Sequence, residues 1–460
     1  MYLLNLQDHR REMVRLGKFF SLVHNEYVKV FKKTSTKIMI VLILLGSVAF
    51  SGLLHIILTE SSDENYMTEN YISGLKNQID EFNELKPDGY KTDIDICNYI
   101  INNNISYDSW QASVASDILD SDELSEKEKK EIFGYIEKND DKGYCKYMSE
   151  NASDSITKWA YKYRTDNNIG LTDDYNKQNK LIEKVSDYRT TLSISAEGTD
   201  TYKEAKDGET VAMYQLENKI YTNTADYTSL SGSSSDYDDS STDTNFWKSF
   251  MITPSLISFI GVLMVVIAGG SVASEFSQGT IKFLLINPVK RWKILMAKYF
   301  TCISIGYIMI AVMYIIFIPV NGIINGFGDL SASYIYVKSG EVQQMSSFLY
   351  VAREYLTNSV EIVVISTMSF AISSLVRSSA LAIGISVFAM FAGNTITALL
   401  SQLNQDWARY LIFSNVDLVG ISQGNTLFPQ QTVGFAICVI VAHMAVFILT
   451  AWDGFTKKSV

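Results

Sequence analysis

The feature that most constrains this chain is the spacing of its apolar runs. The stretch IMIVLILLGSVAFSGLLHIIL occupies residues 38–58, and further runs lie near 249–273, 297–320, 356–376, 381–400 and 432–452. A run of about 20 apolar residues matches the hydrocarbon thickness of a bilayer as a helix. In that medium each backbone N–H and C=O must be satisfied within its own segment, which leaves the helix as the only local solution. The expected fold class is therefore mainly α, a polytopic membrane protein with six transmembrane helices.

Between the first two runs lies a polar block, residues 59–246. From Glu60 to Phe246 it holds 39 acids and 19 bases, a net charge of −20. The remaining residues hold 11 acids and 20 bases, so the overall −11 is the difference of two opposite regions. Such asymmetry predicts two environments. Lysine and arginine indicate which side is which. Residues 1–37 carry eight bases and 274–300 carry five, and Arg377, Lys457 and Lys458 fall on the same side of a six-span chain. Only Lys338, Arg353 and Arg409 fall in the two shorter loops opposite. Both termini are thus expected in the cytoplasm of a bacterial cell membrane, with about 59–246 outside. No cleavable signal peptide is expected, because the first apolar run is long enough to stay as a span.

Within the polar block, 68–86, 125–138 and 174–188 have helical periodicity. The first of these suits a stalk continuing the first span. Ser125 and Glu128 stand at capping-box spacing. Residues 209–223 alternate and predict a strand. The Ser/Asp-rich stretch 229–245 has little to bury and is expected to be a linker. The block is thus expected to be a mainly helical domain. Cys97 and Cys145 form a disulfide only if they meet in an oxidising space. Cys302 and Cys438 lie in apolar runs and are expected to pack as small hydrophobes.

Residues 13–33 place Leu16, Phe20, Val23, Tyr27 and Val30 on one face and bases on the other. This pattern suits a helix lying in the membrane surface, or a cytosolic helix. After the second run, Glu275 marks the membrane boundary and Gly279-Thr280 breaks the helix. A short apolar element follows, and Asn287-Pro288 opens the next helix. Lys290, Arg291 and Lys293 then hold that helix at the headgroups.

This layout resembles the permease subunits of ABC transporters of the second type. In that family a Glu, a Gly-Thr pair, a Leu-rich turn, a Pro and an Arg follow the second span, here Glu275, Gly279, Thr280, Leu284, Leu285, Pro288 and Arg291. An N-terminal interfacial elbow helix with Asn-Glu and following bases is matched by Asn25, Glu26, Lys29, Lys32 and Lys33. Ser373, Ser374 and Arg377, with the basic tail after Phe455, fit as well. The resemblance covers residues 13–59 and 247–460, and the large outer block departs from it. It implies a coupling helix at about 275–291 that docks on an ATPase subunit; read without it, the same residues merely end helices in a loop. It also implies two ATPase copies, a second permease (the same chain or another), the lipid bilayer as surroundings, and ATP with Mg bound only by the partner ATPase. The chain is organised accordingly: 1–37 with the elbow helix, 38–58 as first span, 59–246 outside, and 247–460 with five spans.

The chain has no G-x-x-x-x-G-K-[ST] phosphate loop and no H-E-x-x-H. Its histidines are His9, His24, His55 and His443. No catalytic residue, bound cofactor, metal site or nucleic-acid partner is expected, and an outer-block enzyme is the weakest reading. Intramembrane polar residues are pathway candidates. Glu361 either sits in interfacial water or lines an exit path. Asn394 lies deep in the fifth run, and His443 either pairs with a neighbouring helix or marks the path. Gly269, Gly270, Ser271, Gly384 and Gly393 suit close helix packing. Acids such as Asp236, Asp238 and Asp239 either steer cationic substrates or simply solvate the domain. The expected function is export of a peptide, drug or lipid-like substrate; the alternative is transmission or sensing through the outer block without transport.

Overall fold

Each apolar run becomes one long helix in the computed structural model, which describes residues 19–59, 64–85, 90–121, 124–171, 177–228, 242–280, 290–422 and 424–457. In chain order, α1 (19–32) precedes α2 (Thr34–Thr59), which holds the first span. The polar region supplies α3 (Glu64–Leu85), α4 (Lys91–Asn102), α5 (Trp110–Leu119), α6 (Glu126–Glu137), α7 (Asp141–Asn151), α8 (Ser155–Asn167), α9 (Lys177–Ile194) and α10 (Asp200–Asn218). The second span joins α11 (Thr242–Ile252) to α12 (Ile257–Ser271), and the short α13 (Ala273–Ser277) follows. The third span is α14 (Arg291–Asn325). Strands β1 (Ser333–Lys338) and β2 (Glu341–Ser346) lead to α15 (Ser347–Leu375), the fourth span. The fifth is α16 (Ser379–Gln402); α17 (Leu418–Ser422) precedes the sixth, α18 (Val433–Thr456). The chain is a membrane protein of six apolar helices.

Two compact units emerge. One holds the spans: residues up to His55, Asn245–Gly328, and Phe348 onward. Here the second span is interrupted by a tight turn, Thr253–Leu256, containing Pro254. Proline has no N–H to give the carbonyl four residues back. The Thr253 hydroxyl fills that gap, donating to the Phe250 carbonyl at 2.8 Å. Phe246, Trp247 and Phe250 are fully buried around this break, with Phe348 and Tyr314 packed edge-on or tilted against them. Asn321 donates to the Phe246 carbonyl at 2.8 Å, Asn325 to Asn321 at 2.7 Å, and His55 lies 3.1 Å from Asn325. A polar chain therefore links spans one, three and two. Of the glycines expected to permit close packing, Gly269 lies against the backbone of Ile383 and Gly393 against Phe413. Gly384 faces nothing among the described residues.

The other unit is polar: Ile56–Thr244 together with Asp329–Ser347. The polar unit is therefore built from two stretches of chain, not from 59–246 alone. Helices α3–α7 pack around Ile96, Ile100, Trp110, Ile118, Phe133 and Tyr144, and α8–α10 around Leu181, Ile182, Val185, Ala212 and Leu216. The Ser125–Glu128 capping box forms. Leu75 and Phe82 bury α3 in this core; residues 60–63, between it and the first span, lie outside the described residues.

Three further expectations are corrected. Residues 209–218 are helix, the C-terminal half of α10, because Ala205, Ala212 and Leu216 recur at helical steps into the core. The alternation there is incidental. Cys97 and Cys145 are separate buried thiols, and burial pushes each up to about 12, unfavourable for the thiolate that disulfide chemistry needs. The linker stops before Thr242, where α11 begins; its residues 229–241 lie outside the described residues. The strands sit instead at 333–346, where Ser339 and Gly340 both adopt positive φ (55° and 83°) to make a two-residue hairpin turn. Asn223 grips β1 from the other stretch of the unit. Its Oδ1 accepts from the Ile335 N–H at 2.9 Å, and its Nδ2 donates to the Ile335 carbonyl at 3.0 Å.

Candidate functional site: a charge-paired joint

The helix α12 does not run straight into α13. The hydroxyl of Ser373, from the end of the fourth span, accepts from the N–H groups of Val272 at 3.1 Å and Ala273 at 2.9 Å. This holds the offset between the two helices. Gly279 then ends α13 with φ 71°, a conformation that costs glycine nothing because it has no Cβ. The Thr280 hydroxyl turns back to donate to the Glu275 carboxylate.

Glu275 is thereby fixed where two lysines reach it. Lys298 of α14 lies 3.0 Å from Glu275 and 2.8 Å from Glu26 of α1. Lys29 lies 3.1 Å from Glu26 and 3.3 Å from Glu275. Two acids and two bases alternate around a closed ring that ties α1, α13 and α14 together. The Lys298 side chain is 3% exposed, so its charge depends on these carboxylates rather than on water. Burial works against the charged form of Glu275, but Lys298, the Thr280 hydroxyl and Lys29 outweigh it and hold its pKa at about 2. Burial likewise opposes the charge on Lys29, and Glu26 and Glu275 overcome it and raise its pKa. Nearby, Tyr27 of α1 donates to Ser304 of α14, a second clamp on the same pair of helices.

A cavity of about 850 Å³ opens beside the ring, lined from α1, α2, α12, α13 and α14. Asn25, Lys32 and Lys33 line it without joining the ring. Arg291 points elsewhere: it donates to the Thr456 carbonyl at 3.3 Å, and Trp292 stacks on Trp452 with centroids 6.3 Å apart. The start of α14 is therefore fastened to the end of α18. Leu284, Leu285 and Pro288, at the centre of the expected coupling helix, lie outside the described residues.

The intramembrane candidates do not converge. Glu361 accepts from Ser258 at 3.0 and 3.2 Å, between spans four and two. Asn394 is exposed on α16. His443 meets the Val439 carbonyl of its own helix at 2.9 Å, not a group on a neighbour. No hydrogen bond joins these three among the described residues. Nor, among the described residues, do three or more His, Cys, Asp or Glu gather in a way that would hold a metal.

The residue that sequence reasoning missed is Lys298. It stands seven residues into α14, on the face shared by Ile294, Thr301 and Ile305 that is buried throughout. A lysine on the otherwise buried face of a span was the signal available, since such a charge demands partners.

The family profile described as "Protein of unknown function (DUF2705)" matches residues 220–460. The chain is 33% identical over 216 residues to the uncharacterized protein YhcI of Bacillus subtilis (strain 168), covering 46% of this chain and 69% of that protein. It is 30% identical over 220 residues to the uncharacterized membrane protein YdbK of the same organism, covering 48% of this chain and 85% of that one. No solved structure matches the chain.

Proposed function

The chain belongs to the DUF2705 family, and we propose that it acts there as the permease subunit of an ATP-driven exporter of the ABC-2 type. The observation that carries this reading is the double anchorage of residues 275–291. At one end Glu275 is bound into the ring with α1 and α14. At the other, Arg291 is tied to the end of α18. Displacement of Glu275 is passed to the elbow helix and the third span, and displacement of Arg291 to the sixth span. A coupling element needs that property.

In this reading the segment faces the cytoplasm together with both termini, and the polar unit faces outside. ATP and Mg sit on two partner ATPase copies, a second permease completes the pathway, and a substrate moves outward. The test is purification of the tagged chain from its native membranes, followed by an ATPase assay. A co-purifying polypeptide with a phosphate loop and ATP hydrolysis is expected. Its absence overturns the reading. So does labelling of a Gln278→Cys variant in intact cells by a membrane-impermeant maleimide.

The two-stretch construction of the polar unit supports a second reading, transmission without transport. Because the chain enters that unit after the first span and again after the third, span movements pull on it directly. ATP-dependent change in the polar unit, with no substrate flux in reconstituted vesicles, would favour this alternative.

A further inference from the structure

The cavity beside the ring has a chemistry that the ring does not use. Its walls include Met39, Val266 and Ile267, apolar residues of spans one and two. Its edge carries Lys32 and Lys33, both exposed, and neither forms an ion pair among the described residues. The acids that also line it, Glu26 and Glu275, are already matched by Lys29 and Lys298. Among the described residues the edge is thus left with two uncompensated positive charges. Deeper in, Thr301 is 2% exposed, and its hydroxyl has no hydrogen-bond partner among the described residues. A buried hydroxyl without a partner is costly and points to a missing polar group.

Apolar walls rising from two spans, a doubly basic edge and an unsatisfied hydroxyl together describe an amphiphile with an anionic head. We propose that this cavity binds one anionic glycerophospholipid, its phosphate between Lys32 and Lys33 and its acyl chains along the apolar wall. A volume of about 850 Å³ suits the headgroup and the upper parts of the acyl chains, whose ends would lie in the bilayer. Basic pockets between transmembrane helices attract anionic headgroups, each lysine contributing about 1 kcal/mol near the surface. The bound lipid would wedge α1 against spans one to three and brace the ring from its open side. This inference stands apart from the ATPase partnership, since binding is measured on the chain alone.

The experiment uses the full-length protein purified in neutral detergent. Phosphatidylglycerol, phosphatidylcholine and inorganic phosphate are added in separate arms. Lipid retention is read by native mass spectrometry and stability by melting temperature. One phosphatidylglycerol is expected to be retained with a raised melting temperature, while the other two arms leave both readouts unchanged. Lys32→Gln/Lys33→Gln should bind about thirtyfold more weakly, equivalent to about 2 kcal/mol, and Lys32→Arg/Lys33→Arg should bind as the native protein does. The single glutamine variants serve if the double variant fails to fold. Equal retention of phosphatidylcholine, an equal shift with inorganic phosphate, or undiminished binding by folded glutamine variants would each overturn the proposal.

Discussion

At the scale of the residue, Lys298 carries the largest consequence. Its ammonium is the only one in the ring that is almost fully buried, and it serves two carboxylates. Replacing it by methionine leaves Glu26 and Glu275 short of a partner in a partly dry site. We expect Lys298→Met to cost about 3 kcal/mol or more, seen as a lowered melting temperature in detergent. Adding Glu26→Gln and Glu275→Gln to it should restore part of that loss, because no buried charge is then unmatched; a further fall would show that the ring is not the cause. The pH dependence follows from Glu275. Its folded pKa of about 2 lies below the ordinary 4.5, so its pairing stabilises the protein fully above pH 4.5 and is lost as pH falls toward 2. Melting temperature should decline across that window in the native protein, and the component due to this pairing should be missing in Glu275→Gln.

At the scale of the element, the break in the second span tests how a membrane helix tolerates proline. Thr253→Val orphans the Phe250 carbonyl in a fully buried place and should cost about 1–3 kcal/mol, while Thr253→Ser keeps the donor and should restore the melting temperature. The spans themselves were legible, because hydrocarbon imposes one solution on any long apolar run. Their ends were less so. α14 runs from Arg291 to Asn325, past the apolar 297–320, because Arg291 and Trp292 at one end and Asn321 and Asn325 at the other find partners inside the protein. The reading of 209–223 as strand failed because period-two alternation over a short stretch competes with a helical face made of small residues such as Ala205 and Ala212. The hairpin at 333–346 was not legible although Ser339-Gly340 is a usable turn signal, since β2 is polar and largely exposed and shows no apolar alternation. At the site, Glu26, Lys29, Glu275 and Thr280 were marked by local pattern and do come together. Lys298 was not, because its meaning depends on a partner 272 residues away.

At the scale of the whole molecule, the polar unit depends on a contact between distant parts of the sequence. Asn223→Ala would strip Ile335 of a donor and an acceptor in a buried place. It should speed hydrogen exchange at the Ile335 amide at least tenfold, whereas an unchanged rate would show that the hairpin holds without it. The same arrangement sets an order of events on the ribosome. Residues 56–244 are synthesised long before 329–347, and spans two and three must be threaded into the bilayer in between. At about 5–20 residues per second, the nascent polar unit waits roughly 5–20 s for its two strands. Chains stalled just after span three should therefore display a protease-sensitive polar unit that becomes resistant only once residue 347 has joined it.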